Sequence, residues 1–175
     1  MRIIRSLSVV LLAIPVLLLT PPTAIAGGGS PWSDTASGGF VAPAGLRCEF
    51  TLTSTVLSDR ERIRTLTTYE DGTPRTQKVV GELVVRYTNE ETGESVVRNL
   101  TGNGIFTWRQ DGSLQELTLQ GGHFGVGFGA GDEAGPSYLV FTGAGHTVTF
   151  DADGSRSVAY GSGPVEDICE TLAAA

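Results

Sequence analysis

Apolar and polar residues alternate along most of this chain, and the alternation has period two. Cys48, Phe50 and Leu52 alternate with Glu49, Thr51 and Thr53. Phe106 and Trp108 alternate with Thr107 and Arg109, and Leu117 and Leu119 with Glu116, Thr118 and Gln120. Val79, Leu83, Val85 and Tyr87 share one parity around Gly81, and Val148 and Phe150 alternate with Thr147 and Thr149. Successive side chains of a strand point to opposite faces, so this pattern predicts half-buried strands rather than helices. Asp71-Gly72, Thr92-Gly93, Asp111-Gly112 and Asp153-Gly154 fall between alternating runs and read as hairpin turns. Ten strands are predicted, over 48–56, 61–69, 75–88, 94–101, 104–110, 114–120, 122–128, 137–143, 146–150 and 155–160. Their even spacing is that of an antiparallel meander.

One segment reads as a helix. Gly163-Pro164 opens it, Glu166 and Asp167 sit in its first turn, and Val165, Ile168, Cys169 and Leu172 form one apolar stripe. The expected fold is therefore all-β with a short C-terminal helix. So many strands must curl or split to bury one apolar face. Closure removes exposed edges, which favours a barrel or a strongly coiled sheet, with a two-sheet sandwich as the alternative.

The first 26 residues break the pattern. Arg2 and Arg5 precede an apolar run to Leu19, prolines follow, and Ala24-Ile25-Ala26 offers a small-x-small cleavage site before Gly27. This reads as a signal peptide over 1–26, cut between Ala26 and Gly27. The run is shorter than the roughly 20 apolar residues of a spanning helix. Residues 27–46 are rich in Gly, Ser, Pro and Ala and read as a flexible tail. A single β domain is expected over 47–173.

Removing the signal takes Arg2 and Arg5 and moves the net charge from −7 to −9. A surface this acidic argues against nucleic acid and against anionic membranes, which need clustered cations. The expected location is secreted and extracellular, with no membrane association after processing. In that setting Cys48 and Cys169 are expected to form a disulfide, the alternative being two buried thiols. All 24 glycines lie beyond residue 26, about twice the usual density.

Candidate chemistry is sparse. His123 and His146 have no zinc-ligand spacing, and the cysteines are committed elsewhere, so no metal and no cofactor are expected. A Ser-His-Asp set is recognised by geometry, and the sequence holds its parts but no GxSxG elbow. Glu70-Asp71, Glu90-Glu91 with Glu94, and Asp132-Glu133 read as solvated turn carboxylates. Asp151 to Ser155 lacks the glycine and glutamate of a calcium loop and reads as a hairpin turn. Gly121 to Gly131 contains a formal G-x-G-x-x-A, but no helix follows it. Gly125 and Gly127 instead leave one strand face bare, while Phe124, Val126 and Phe128 are expected to face the core. Something is then expected to lie close to the bare face. Asn99-Leu100-Thr101 is a glycosylation sequon.

The chain also resembles a group of small secreted actinobacterial all-β proteins of unknown function. The likeness rests on the signal peptide, the glycine-rich start, Cys48, Thr88-Asn89 with Thr92-Gly93, Asp111-Gly112, and the ending Gly163, Asp167, Cys169 and Leu172. It implies a location and a fold, and no catalytic residue. The functional expectation is a binding module for a small apolar ligand or an extracellular protein partner. The alternative is a metal-free secreted hydrolase whose sparse site uses His123 or His146.

Overall fold

The computed structural model describes residues 29 to 174. The expected signal peptide, with its Ala26–Gly27 cleavage site, lies outside the described residues. Thirteen strands and one helix follow in order: β1 (Ser33–Asp34), β2 (Phe40–Ala42), β3 (Leu52–Asp59), β4 (Arg62–Thr68), β5 (Pro74–Gly81), β6 (Leu83–Asn89), β7 (Ser95–Asn99), β8 (Gly102–Trp108), β9 (Leu114–Phe128), β10 (Ser137–Thr142), β11 (Thr147–Phe150), β12 (Arg156–Ala159), β13 (Val165–Asp167) and α1 (Ile168–Ala173). The protein is all-β, and its paired strands are antiparallel. A four-stranded sheet runs β2-β3-β6-β7. A nine-stranded sheet runs β1-β4-β5-β8-β9-β10-β13, with β11 also on β9 and β12 on β11.

The two sheets are joined by strands that bend. The chain leaves the small sheet at β3 and enters the large one at β4, returns from β5 to β6, and crosses again from β7 to β8. The 15-residue β9 bends at Gly121-Gly122. Its first half pairs with β8 and β11, and its second half with β10. Glycines mark the crease across neighbouring strands. Gly81 pairs with Gly102, Gly102 with Gly122, and the Gly122 carbonyl accepts the Gly143 N–H at 2.9 Å. At Gly122 φ is +86°, and a Cβ would lie 2.4 Å from the Thr101 carbonyl oxygen. Only glycine meets both demands. Part of the unusual glycine content is thus a crease, and a further part is the four predicted hairpin turns.

Two apolar clusters form. One packs Leu52, Val85, Tyr87, Leu100, Tyr138 and Val140 against Ile168 and Leu172 of α1. The other gathers Leu117, Leu119, Val126, Phe128, Leu139, Phe141, Val148 and Val158. Val126 and Phe128 are buried and Phe124 packs on the same cluster, as their parity in the glycine-rich strand predicts. Cys48 and Cys169 form the expected disulfide, with Cα atoms 5.2 Å apart. It clasps the segment before β3 to α1, which lies 121 residues away in sequence.

Four expectations change. The sheets do not close into a barrel, and a sandwich-like arrangement describes them. No ladder joins the edges β7 and β13. Instead the side chains of Arg98 and Glu166 meet there in a bidentate pair, at 2.7 and 2.5 Å. The crease explains this, because strands folded in half supply both layers instead of staggering around one ring.

The segment expected to be a flexible tail is ordered from residue 29 onward. β1 adds to β4 and β2 adds to β3, so one stretch edges both sheets. Its lack of alternation follows from its having little side-chain face to bury. Backbone bonds such as Ser30 N–H to the Thr65 carbonyl hold it instead. Trp32 lies under the guanidinium of Arg64, 4.8 Å away.

The helix is shorter than predicted. Val165–Asp167 pairs with Leu139–Phe141 as β13, because β10 offers an open edge there. Helical geometry begins after Asp167, whose carboxylate accepts the Cys169 N–H at 2.8 Å as an N-cap. Finally, the predicted strand 48–56 starts at Leu52, the predicted 75–88 is divided into β5 and β6, and 114–120 with 122–128 is the single bent β9.

Candidate functional site

The crease leaves a cavity of about 270 Å³ between the two sheets. Val56 of β3 and Leu83, Val85 and Tyr87 of β6 wall it on the small sheet. Val79 of β5, Phe106 of β8, and Leu117 and Leu119 of β9 face them from the large sheet. Phe40 of β2 and Tyr138 of β10 complete the lining. The space exists because inward positions lack side chains. Gly104 lies in register between Val79 and Leu119, and all three share one face of the sheet. A bulky residue there would project into the space.

Tyr138 is held on several sides. Its ring lies over the bare Gly125, where a Cβ would meet its Oη at 2.8 Å and Cε1 at 2.9 Å. Phe40 packs 5.3 Å from it and Tyr87 4.9 Å, centroid to centroid. The Tyr87 hydroxyl donates to the Tyr138 hydroxyl at 3.2 Å. Burial pushes both phenols above their ordinary range. Over Gly127 the close approach is the Arg47 side chain, with Nε 2.7 Å from a built Cβ. The expected close approach to the glycine face is therefore made by two side chains of the protein itself.

Ser37 of the β1–β2 segment and Glu61 of the β3–β4 corner add polar groups to the cavity wall, beside Ser54, Asn103 and His123. The Ser37 hydroxyl donates to Glu61 Oε2 at 2.5 Å, and the Ser37 N–H donates to Asp59 Oδ2 at 2.6 Å. The other Asp59 oxygen accepts the Glu61 N–H at 3.0 Å. Burial raises the Glu61 carboxyl above the usual carboxylate range, against the opposing pull of the Ser37 hydrogen bond, with the Asp59 charge adding to the rise.

The two histidines converge on Thr142 from different sides. His123 lines the cavity, with Nδ1 2.9 Å from the Thr142 hydroxyl. His146 is buried just before β11. Its Nδ1 accepts the Gly161 N–H at 3.2 Å, so Nε2 carries the proton and points at the carbonyls of Thr142 and Ser162, each at 3.1 Å. His146 thus ties β10 to the segment before β13. Among the described residues neither histidine has a carboxylate as hydrogen-bond partner.

The remaining sequence candidates fall into structural places. Asp151 to Ser155 is the turn between β11 and β12, with Gly154 N–H bonding the Asp151 carbonyl. Glu70, Asp71, Glu90, Glu91 and Glu94 are exposed. Asp132 corrects the reading of a solvated turn carboxylate, while Glu133 is exposed as that reading expects. Asp132 accepts the N–H groups of Gly129 and Arg156 at 2.6 and 2.7 Å, and Glu133 accepts that of Val158 at 2.9 Å. They pin their loop to β12.

Glu61, Ser37 and Tyr138 carry the cavity's polar and aromatic features, and none was singled out from the sequence. Glu61 sits in Asp59-Arg60-Glu61-Arg62, a charge run that reads as a solvated connection. The sequence signal at this corner is Gly81, a glycine interrupting the apolar run, and its φ of +147° and close approach to the Glu61 Cα show the packing. No protein-family model matches the chain, and no curated protein or solved structure matches it.

Proposed function

We propose that this protein is an extracellular binding module that holds a small apolar molecule between its two sheets. The observation that carries this reading is the cavity itself, walled by apolar side chains of both layers. Filled cores leave few voids larger than a water molecule, so a space of about 270 Å³ is a costly feature for a domain with no use for it. An apolar cavity of about 150 Å³ takes up benzene, and drug-sized ligands occupy about 300 Å³ or more. The fitting ligand is therefore larger than benzene and smaller than a typical drug, on the scale of a bicyclic hydrocarbon or a short terpene. The disulfide between Cys48 and Cys169 supports an extracellular setting, because such bonds are a feature of oxidising compartments. Among the described residues no helix is long and apolar enough to cross a membrane.

Native mass spectrometry of the secreted protein, together with titration by naphthalene, tests the proposal. Naphthalene is expected to bind with one-to-one stoichiometry. Val79→Phe, which enlarges a cavity wall, is expected to abolish binding while melting within a few degrees of the wild type. Binding that is unchanged in Val79→Phe would overturn the cavity as the site.

A further inference from the structure

We propose that the ligand of this cavity is an alcohol or amine, an apolar body whose single hydrogen-bond-donating head binds the carboxyl of Glu61. This rests on the cavity reading above and adds the chemistry of one end of the ligand. Glu61 places a carboxyl group in a wall that is otherwise mainly apolar. Only its Oε2 is engaged within the protein, by the Ser37 hydroxyl. Oε1 has no hydrogen-bond partner among the described residues. Oε1 is not sealed from solvent, so a donor head entering the cavity takes the place of water at this oxygen while its apolar body is buried.

The acceptor is also held in place, as a recognition group must be. Asp59 grips the backbone N–H groups of both Ser37 and Glu61, at 2.6 and 3.0 Å. Behind the corner, Gly81 packs so closely that a Cβ would lie 2.6 Å from the Glu61 Cα. Other polar groups around the cavity each make one bond within the protein, while His123 Nε2 and Asn103 Oδ1 have no hydrogen-bond partner among the described residues. Tyr87 donates to Tyr138, His123 bonds Thr142, and Asn103 Nδ2 donates to the Gly121 carbonyl. Ser54 adds a hydroxyl to the wall but no charge. The arrangement selects against a ligand carboxylate, which would bring a second acidic group against Glu61. Fatty acids are therefore disfavoured and alcohols of matched size favoured.

The test uses the mature protein and four ligands on one skeleton: naphthalene, 2-naphthol, 2-naphthylamine and 2-naphthoate. Affinities are measured by calorimetry for the wild type, Glu61→Leu and Glu61→Gln, with a thermal melt of each variant. In the wild type, 2-naphthol and 2-naphthylamine are expected to bind about tenfold or more tighter than naphthalene, as one hydrogen bond to a carboxyl group implies. 2-Naphthoate is expected to bind more weakly than naphthalene. Glu61→Leu removes the acceptor and is expected to bring 2-naphthol and naphthalene to equal affinity. Glu61→Gln keeps a neutral acceptor of the same shape and is expected to fall between, which holds the test open if the leucine variant unfolds. Equal binding of naphthalene and 2-naphthol by the wild type would overturn the head-group assignment and leave the cavity reading standing. Failure of all four to bind would overturn the cavity reading, and this inference with it.

Discussion

Adding one methyl group at Gly125 tests the aromatic packing that shapes the cavity. In Gly125→Ala the new Cβ would lie 2.8 Å from Tyr138 Oη and 2.9 Å from Cε1, well inside van der Waals contact. The ring is held between Phe40 and Tyr87 and bonded through its hydroxyl, so retreat toward the cavity it lines would disturb those contacts. Overpacking of this kind costs about 1–3 kcal/mol. Replacing a strand glycine by alanine returns roughly 0.5–1 kcal/mol of backbone entropy. The net expectation is a loss of about 1–2 kcal/mol, a fall in Tm of several degrees for a domain of this size. Gly127→Ala is the control on the same bare face. Its Cβ meets the Nε and Cδ of Arg47, a long side chain that can swing aside, so its loss should be well under that of Gly125→Ala. Urea melts of both variants, and of Gly125→Ala combined with Tyr138→Leu, complete a double-mutant cycle. The coupling should be favourable, because a smaller residue at 138 relieves the clash. A Gly125→Ala protein as stable as the wild type, or a strictly additive double variant, would refute the idea that the ring is wedged against the glycine.

Two further predictions address the clasp and the buried phenols. Closing a loop of 121 residues with the Cys48–Cys169 disulfide should stabilise the fold. The chain-entropy model puts this at about 5 kcal/mol. Replacing both cysteines by serine should lower the urea-melt stability by several kcal/mol, and a loss below about 1 kcal/mol would show that the clasp does not constrain the unfolded chain. Tyr87 and Tyr138 have folded pKa values above their ordinary one, so the folded state retains protons that the unfolded state releases. Their contribution is present below about pH 10 and is lost as pH rises past that value. Absorbance of tyrosinate should therefore show two of the four tyrosines titrating only as the protein unfolds at alkaline pH. Normal titration of all four in folded protein would contradict their burial.

The local pattern by itself determined the class of fold, the hairpin turns, the inward parity of Val126 and Phe128, and the cysteine pair. Each follows from short-range rules: strand side chains alternate, tight turns need positive φ, and an even cysteine pair in an exported chain tends to join. Only the tertiary structure decided how the strands were shared between layers. A crease running through Gly81, Gly102 and Gly122 appears in the sequence as three separate glycines, and only the register places them side by side. The same holds for the edge strands of residues 33–42, which look like a linker because backbone pairing leaves no mark on side-chain periodicity. It holds most of all for Glu61. Its neighbours in sequence are charged, so it reads as solvated, while its neighbours in space are Ser37, Gly81 and an apolar cavity. Burial is set by what the rest of the chain brings to a residue, and no local pattern carries that information.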